Sequence, residues 1–281
     1  MLDQITPVIL TYNEAPNISR NLERLDWARD VIVVDSFSED ETVSLARQIE
    51  GVRVFQRRFD TLANQWNFAL AQTQIRTEWV LALDADYILT DEIVDELRSL
   101  APDSATTGYS ANFVYCVHGQ RLRSSAYPPV TVLFRHSGAT YRQDGHAHRV
   151  VLEGAVRKLK YSILHDDRKP LGHWLNSQEK YMRLELEKLR QSEWRDLSWP
   201  DKIRRLRIIA PFLMFFYCLF VKRAILDGRA GIYYAFQRML AELLLSLYLI
   251  EFSLDGRDEK TVSAQRTEQD KKAFLPVEQS K

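Results

Sequence analysis

Two carboxylates one residue apart, Asp84 and Asp86, close the apolar run Glu78-Trp79-Val80-Leu81-Ala82-Leu83. An acidic pair where a buried strand ends can reach a divalent cation held at the edge of a sheet. Hard cations such as Mg²⁺ or Mn²⁺ take oxygen ligands and leave positions open for phosphate oxygens. The D-A-D spacing therefore fits a mount for a metal–diphosphate, and with it a nucleotide-activated donor. Acidic residues are also ordinary turn formers after strands, so the pair gains meaning from what lies beside it.

The first hundred residues alternate short apolar runs with helical patterns. Ile5 to Leu10, Val31 to Val34, Val52 to Phe55 and Trp79 to Leu83 read as strands. Helices are expected from about Ala15 to Leu25, from near Ser38 (an N-cap serine with acidic residues in the first turn), and from Leu62 to Gln72. This alternation predicts a parallel sheet with helices on both faces, whose ligands bind beyond the carboxyl ends of the strands. Asn13, Glu14, Asp35, Ser36, Asp84 and Asp86 all fall at that edge.

From about Thr107 to Leu164 the runs become shorter and alternating, as in Tyr109 to Tyr115, Val130 to Phe134 and His148 to Leu152. Antiparallel or mixed sheet completing the same domain, and holding an acceptor pocket, is expected here. A long charged helix follows from Leu171 to Arg190. Ile208 to Val221 is strongly apolar, with Lys202, Arg204, Arg205 and Arg207 before it and Lys222 and Arg223 after it. A second apolar helix spans Ile232 to Phe252, interrupted by Gln237, Arg238 and Glu242. The first run is shorter than the about 20 residues a bilayer crossing needs, and the second carries charge near its middle. Basic flanks on aromatic-rich apolar faces favour helices lying in a membrane interface. A pair packed on the domain, a homo-oligomer contact and a hairpin span are the other arrangements the pattern allows.

Lys+Arg and Asp+Glu are both 38 in 281 residues, so net charge gives no argument for nucleic acid. Cys116 and Cys218 stand far apart in apolar surroundings and match no metal-ligand spacing, which suits a reducing compartment. The chain enters its first strand with no basic, cleavable leader, and the expected location is cytoplasmic.

Three motifs occur in order: P-V-I-L-T-Y-N-E (Pro7 to Glu14), V-V-D-S-F-S-E-D-E-T (Val33 to Thr42) and L-A-L-D-A-D (Leu81 to Asp86). Together they resemble family 2 glycosyltransferases, over about the first ninety residues. H-D-D-R-K-P-L-G-H-W-L (His165 to Leu175) and L-D-G-R-A-G (Leu226 to Gly231) look like the subgroup that includes lipopolysaccharide core glucosyltransferases. The resemblance implies a GT-A fold: an α/β, Rossmann-like mixed sheet flanked by helices, here with C-terminal amphipathic or apolar helices. The expected organisation is a catalytic domain over 1–170 (donor half 1–100, acceptor half 101–170) and a connecting helix over 171–200. Membrane-interface helices over 201–254 and a polar tail over 255–281 would follow.

It also implies roles. Thr11, Asn13 and Glu14 would wrap the base and ribose, and Asp35, with Ser36 beside it, would accept hydrogen bonds from them. Asp84 would face the ribose and the metal-bound diphosphate, and Asp86 would be the more direct ligand of Mg²⁺ or Mn²⁺. Asn67 matches an asparagine common in the third helix, although Trp66 stands where an arginine usually precedes it. His165 would complete the metal's coordination, and Arg168 and Lys169 would bind the diphosphate. Inverting transfer needs one general base near the acceptor hydroxyl. Asp144 is the first candidate in Gln143 to Arg149, with His146 and His148 alternating beside it; the H-A-H spacing lacks a third ligand for zinc. Gln178-Glu179-Lys180-Tyr181 stands where processive synthases carry Q-x-x-R-W, and lacks the arginine and tryptophan.

The expected activity is inverting transfer of a sugar, from a nucleotide-sugar such as a UDP-hexose, to a lipid-linked or cell-envelope glycan such as lipopolysaccharide core. The expected place is the cytoplasmic face of the membrane. Rivals are a polyprenyl-phosphate glycosyltransferase, whose phosphate acceptor needs no base, and a membrane-associated scaffold with a decayed transferase domain. A nucleotidyltransferase would also use a carboxylate pair, but T-Y-N-E-A-P is no glycine-rich phosphate loop.

Overall fold

The structure, a computed structural model, describes residues 1–144 and 147–255. Four consecutive strands, β1 (Ile5–Thr11), β2 (Val31–Asp35), β3 (Val52–Gln56) and β4 (Trp79–Asp84), lie parallel in one sheet. Their side chains alternate between two cores, as the period of a strand requires. Ile5, Ile9, Val31, Val33, Leu81 and Leu83 face one core with α1 (Ile18–Leu22), α2 (Thr42–Arg47) and α4 (Asp91–Ser99). Val8, Leu10, Ile32, Val34, Val80 and Ala82 face the other with α3 (Leu62–Gln72). Both faces are covered, which is why these strands read as unbroken apolar runs.

The rest of the sheet is mixed, as expected. β8 (Val130–Arg135) runs antiparallel to β4 and to β6 (Thr106–Val117), and β11 (Ala155–His165) runs parallel to β6. The order is β3-β2-β1-β4-β8-β6-β11-β5, where β5 (Tyr87–Ile88) pairs antiparallel with the end of β11; β7 (Gln120–Arg121) pairs with the end of β6. Two reversals leave β6 and β11 pointing the same way as β1, β2 and β4. The carboxyl ends of all five therefore share one edge. A separate hairpin, β9 (Thr140–Asp144) and β10 (Ala147–Val151), packs on α3.

Three expectations change. The helix after β2 begins at Thr42, not near Ser38, because the Ser38 N–H and hydroxyl both donate to the Asp35 carboxylate and hold the chain in a loop. The short alternating runs expected up to Leu164 end instead in one long strand, the eleven-residue β11. Helix α4, which the pattern reading left unassigned, is anchored by Ile93 and Leu97 in the core.

Helix α5 (Leu171–Gln191) is docked rather than free. Glu185 is buried and faces Arg204 of α6 (Trp199–Arg205), and Met182 and Leu189 meet Leu245 and Leu249 of α8 (Gly228–Leu254). The charge within α8, Glu242, accepts from the Arg204 guanidinium at 2.7 Å and is itself buried. Helix α7 (Ile209–Phe216) continues as a π turn, Tyr217–Val221, and one side of the α7–α8 pair rests on the end of β6 through Cys218, Leu219, Ala230 and Tyr234 against Val117 and Leu122. The L-D-G-R-A-G run has a packing reason. Gly228 has a positive φ of 60°, and a Cβ on Gly231 would lie 1.8 Å from the Ala224 carbonyl oxygen, so only glycine lets α8 start there. Of the expected tail, only Asp255 falls within the described residues.

Candidate active site

At the shared carboxyl edge, the loops after β1 and β2 are stitched together. The Thr11 hydroxyl donates to the Asp35 carboxylate at 3.0 Å, and Gln56 donates to it at 3.3 Å. The Asn13 N–H donates to the Ser38 hydroxyl at 2.8 Å, while its own amide oxygen accepts from the Glu39 N–H. Asn13 takes a left-handed conformation (φ 53°), which asparagine tolerates better than most residues. The Ser36 hydroxyl accepts from Gln65 at 2.9 Å. Asp35 is fully buried with Thr11, Ser38 and Gln56 on its carboxylate, so it organises this loop pair and presents no open oxygen to a donor.

The D-A-D turn is held by main-chain contacts. Asn21 of α1 donates to the carbonyls of Asp84 (3.1 Å) and Tyr87 (2.6 Å), and the Asp166 N–H donates to the Asp86 carbonyl at 2.9 Å. Because β11 pairs with β5, His165 lies opposite Tyr87 and next to Asp86; its Nε2 is 3.1 Å from Asp86 Oδ2. The imidazole is ringed by Tyr87, Tyr115 and Tyr127, with ring centroids 5.4, 4.8 and 4.7 Å away and edges turned toward it. Tyr87 and Tyr127 share a 2.6 Å hydroxyl hydrogen bond. Pattern reading passed over this tyrosine cage, since its members come from three separate segments.

The loop after β11 is clamped on α1. Buried Asn17 donates to Asp167 at 3.0 Å and accepts from the Arg168 N–H at 3.0 Å. Lys169 Nζ donates to Glu14 Oε1 at 2.5 Å in a pair about one-eighth exposed on each side (12% and 13%). Arg168 instead turns its guanidinium onto Asp166, which also receives Arg20 and the Gly119 N–H. Arg168 is thus paired with Asp166, and Lys169 is the cation beside the acidic cluster. Glu14 is likewise engaged with Lys169 and Asn17.

Asn67 joins α3 to β9. Its amide donates to the Tyr141 carbonyl (3.0 Å) and accepts from the Tyr141 N–H (2.8 Å), so it is an α3–β9 clamp. Trp66 stacks on Tyr141 at 5.2 Å and donates to His148 Nε2 at 3.0 Å, which makes that histidine part of the same clamp. The Ala63 N–H donates to Gln143 at 3.2 Å. Since Ala63 is at the start of α3, β9 runs toward the sheet edge that carries the site, and its last residue, Asp144, arrives there. The Asp144 side chain and all of His146 lie outside the described residues.

The electrostatics divide the acids. Burial, reinforced by the charge of Asp86, pushes Asp84 up to about 6. Burial acts the same way on Asp86, but the charge and hydrogen bond of His165, helped by Lys169, hold its carboxyl below the usual range. Burial works against the charged form of His165, and Asp86 and Asp84 outweigh it, so the imidazole titrates higher than usual. Glu14 rises to about 7, first from burial and then from Asp86, against the opposing Lys169. Lys169 is kept charged by Glu14, Asp167 and Asp86 despite its burial.

Three buried polar atoms here lack partners: Asp86 Oδ1, His165 Nδ1 and Asn21 Oδ1. Leaving such atoms unpaired costs roughly 1–3 kcal/mol each, so they mark a place that expects a ligand. A carboxylate oxygen and an imidazole nitrogen suit Mn²⁺, and the carboxylate suits Mg²⁺. Among the described residues no three His, Cys, Asp or Glu side chains are arranged to hold an ion. Asp86 and His165 each keep one unpartnered buried atom, while Asp84 is the carboxyl pushed toward protonation. Phe37 marks the rim: it is 48% exposed with a φ of 61°, a strained conformation for a bulky residue that no sequence pattern announces.

Comparison with known proteins bears on the family. An uncharacterized glycosyltransferase of Rickettsia felis (strain ATCC VR-1525 / URRWXCal2) is 35% identical over 98 residues, 34% of each chain. One from Rickettsia bellii (strain RML369-C) is 37% identical over 96 residues, 34% of this chain and 32% of the relative. This chain thus spans about a third of the length of the curated relatives it matches. Among solved structures, S. aureus TarS 1–349 in complex with UDP-GlcNAc has a TM-score of 0.48 at 13% identity, covering 90% of this chain and 92% of that one. Glucosyl-3-phosphoglycerate synthase from Mycobacterium tuberculosis in complex with Mn²⁺, UDP and glucosyl-3-phosphoglycerate has a TM-score of 0.42 at 15% identity, covering 66% and 80%. The family model for glycosyl transferase family 2 matches residues 6–154, more than half of the 281, and takes in β1 to β10 with the D-A-D turn. The mixed, helix-flanked sheet is the GT-A fold, and the chain belongs to glycosyl transferase family 2.

Proposed function

We propose that this protein is a metal-dependent inverting hexosyltransferase. It would take a sugar from a nucleotide-sugar, a UDP-hexose, and pass it to a hydroxyl of a lipid-linked or cell-envelope glycan such as lipopolysaccharide core. The observation that carries the reading is the Asp86–His165 pair, with one unpartnered buried atom on each residue, beside the buried ammonium of Lys169. Asp86 and His165 would hold Mg²⁺ or Mn²⁺, and when bound the cation neutralises charge on the departing nucleoside diphosphate. Lys169 stands one carboxylate away and supplies a second fixed positive charge for the same oxygens. Asn21, Asn17 and the β5–β11 pairing keep these groups in place without spending their charges. At the acceptor, Asp144 remains the candidate base. It would take the hydroxyl proton as that oxygen attacks the anomeric carbon opposite the leaving group.

A nucleotide-sugar panel read by thermal shift, with and without Mn²⁺, tests this. A ligand that binds only the folded state adds about 2.7 kcal/mol of stability at 100 times its Kd. The expected result is a rise in melting temperature with UDP-sugars that is larger when Mn²⁺ is present. No shift with any nucleotide-sugar would remove the proposal.

A further inference from the structure

The side of α7 and α8 turned away from β6 is apolar and uncovered. Phe212, Phe216 and Phe220 follow one another at helical spacing and are 56%, 52% and 57% exposed. Ile208, Val221, Leu226 and Phe236 extend the same surface, each more than half exposed. A contiguous apolar face of this kind on a water-facing surface marks an interaction site. Among the described residues no single helix is long and apolar enough to cross a membrane; Ile209–Val221 and Ala224–Leu254 satisfy length and composition only as a pair bent by 67°. Such a pair can lie along an interface, with its charged interruption at Glu242 tucked inward against Arg204.

Charge identifies the occupant. From Leu206 to Ala241 the only acidic residue is Asp227, which is buried and held to Arg123, whereas Arg207, Lys222, Arg223, Arg229 and Arg238 are all basic. Lys222 lies over the Tyr217 ring, an apolar stem with a cationic tip of the kind that settles at a lipid headgroup layer. A second copy of the chain seated face to face would set these same-sign rims against each other. An anionic lipid surface complements them and accepts the phenylalanines beneath. The packed side of the same helix pair reaches the candidate site. Tyr234 lies 4.9 Å from Tyr115, which lies 4.8 Å from His165, and the Tyr234 hydroxyl accepts from the Ala126 N–H.

We infer that the α7–α8 face seats the protein on an anionic bilayer, such as the cytoplasmic leaflet, with Phe212, Phe216 and Phe220 in the interface and Lys222 and Arg223 on the headgroups. The lipid-linked acceptor proposed above would then be met at the surface beside His165. Docking needs no transfer chemistry, so the two readings fail separately.

Flotation of the full chain with lipid vesicles tests it. Wild-type protein should float with vesicles containing phosphatidylglycerol, far less with phosphatidylcholine alone, and less again in high salt. Phe212→Ser/Phe216→Ser/Phe220→Ser should weaken flotation on both vesicle types by about ten-fold or more, and Lys222→Glu/Arg223→Glu should do so on the anionic vesicles alone. The melting temperature of both variants should match that of the wild type, which shows that they fold. Two results would overturn the inference. One is wild-type protein that stays unbound on anionic vesicles while the phenylalanine variant converts a dimer to a monomer by light scattering. The other is a phenylalanine variant that floats as wild type does.

Discussion

Asp86→Asn is expected to lower kcat/KM for sugar transfer by about 10³-fold or more, near 4 kcal/mol of transition-state stabilisation. Asparagine keeps the size of the side chain and removes the charge. It withdraws the partner that keeps His165 titrating high, and it empties the one site where a carboxylate oxygen and an imidazole nitrogen both lack partners. Stability should change little, because two effects oppose. The hydrogen bond to His165 weakens, while the repulsion that pushes Asp84 up is relieved. Activity that collapses with near-wild-type urea denaturation is the pattern of a site kept for chemistry rather than for folding. Retained transfer would remove the metal mount from Asp86.

Lys169→Met should lower kcat by about 10²–10³-fold if its ammonium faces the leaving diphosphate. The same substitution also strands Glu14 in a buried position. Breaking a buried pair from one side costs about 3–5 kcal/mol when the remaining charge is trapped. Here the cost should fall below that range, since Glu14 already titrates near 7 and can take a proton. The double variant Glu14→Gln/Lys169→Met separates the two roles. Urea denaturation should show most of the stability returning, and kinetics should show no return of kcat. Recovery of transfer in the double variant would make Lys169 a structural partner of Glu14 only.

Much of the donor half was readable in the chain because its signals are local. Each of β1 to β4 is a continuous apolar run, and the residues that matter follow directly on the strand ends. What could not be read came from partners distant in sequence. Asn67 looks like a donor contact until Tyr141, 74 residues on, takes both sides of its amide. Asp35 looks open until Thr11, Ser38 and Gln56 close over it. Arg168 has the right charge and place, yet Asp166 two residues earlier captures it, leaving Lys169 to face the acids. His165 shows the opposite case. Its part depends on an 11-residue strand pairing with β5, and only the family resemblance pointed to it. The tyrosine cage and the left-handed Phe37 carry no pattern at all, since one is assembled from three segments and the other is a property of the backbone. In the C-terminal helices the apolar composition was legible, while the division into a face packed on β6 and an uncovered face belongs to the packing.

The central claim is that a nucleoside diphosphate and a divalent cation bind together at the Asp86–His165 edge. Calorimetric titration of UDP into the protein, with and without Mn²⁺, addresses it most directly. UDP should bind at least about ten-fold tighter with Mn²⁺, a difference of about 1.4 kcal/mol, and that gain should vanish in Asp86→Asn. An identical Kd in the presence and absence of Mn²⁺, or a gain that survives the substitution, would contradict it.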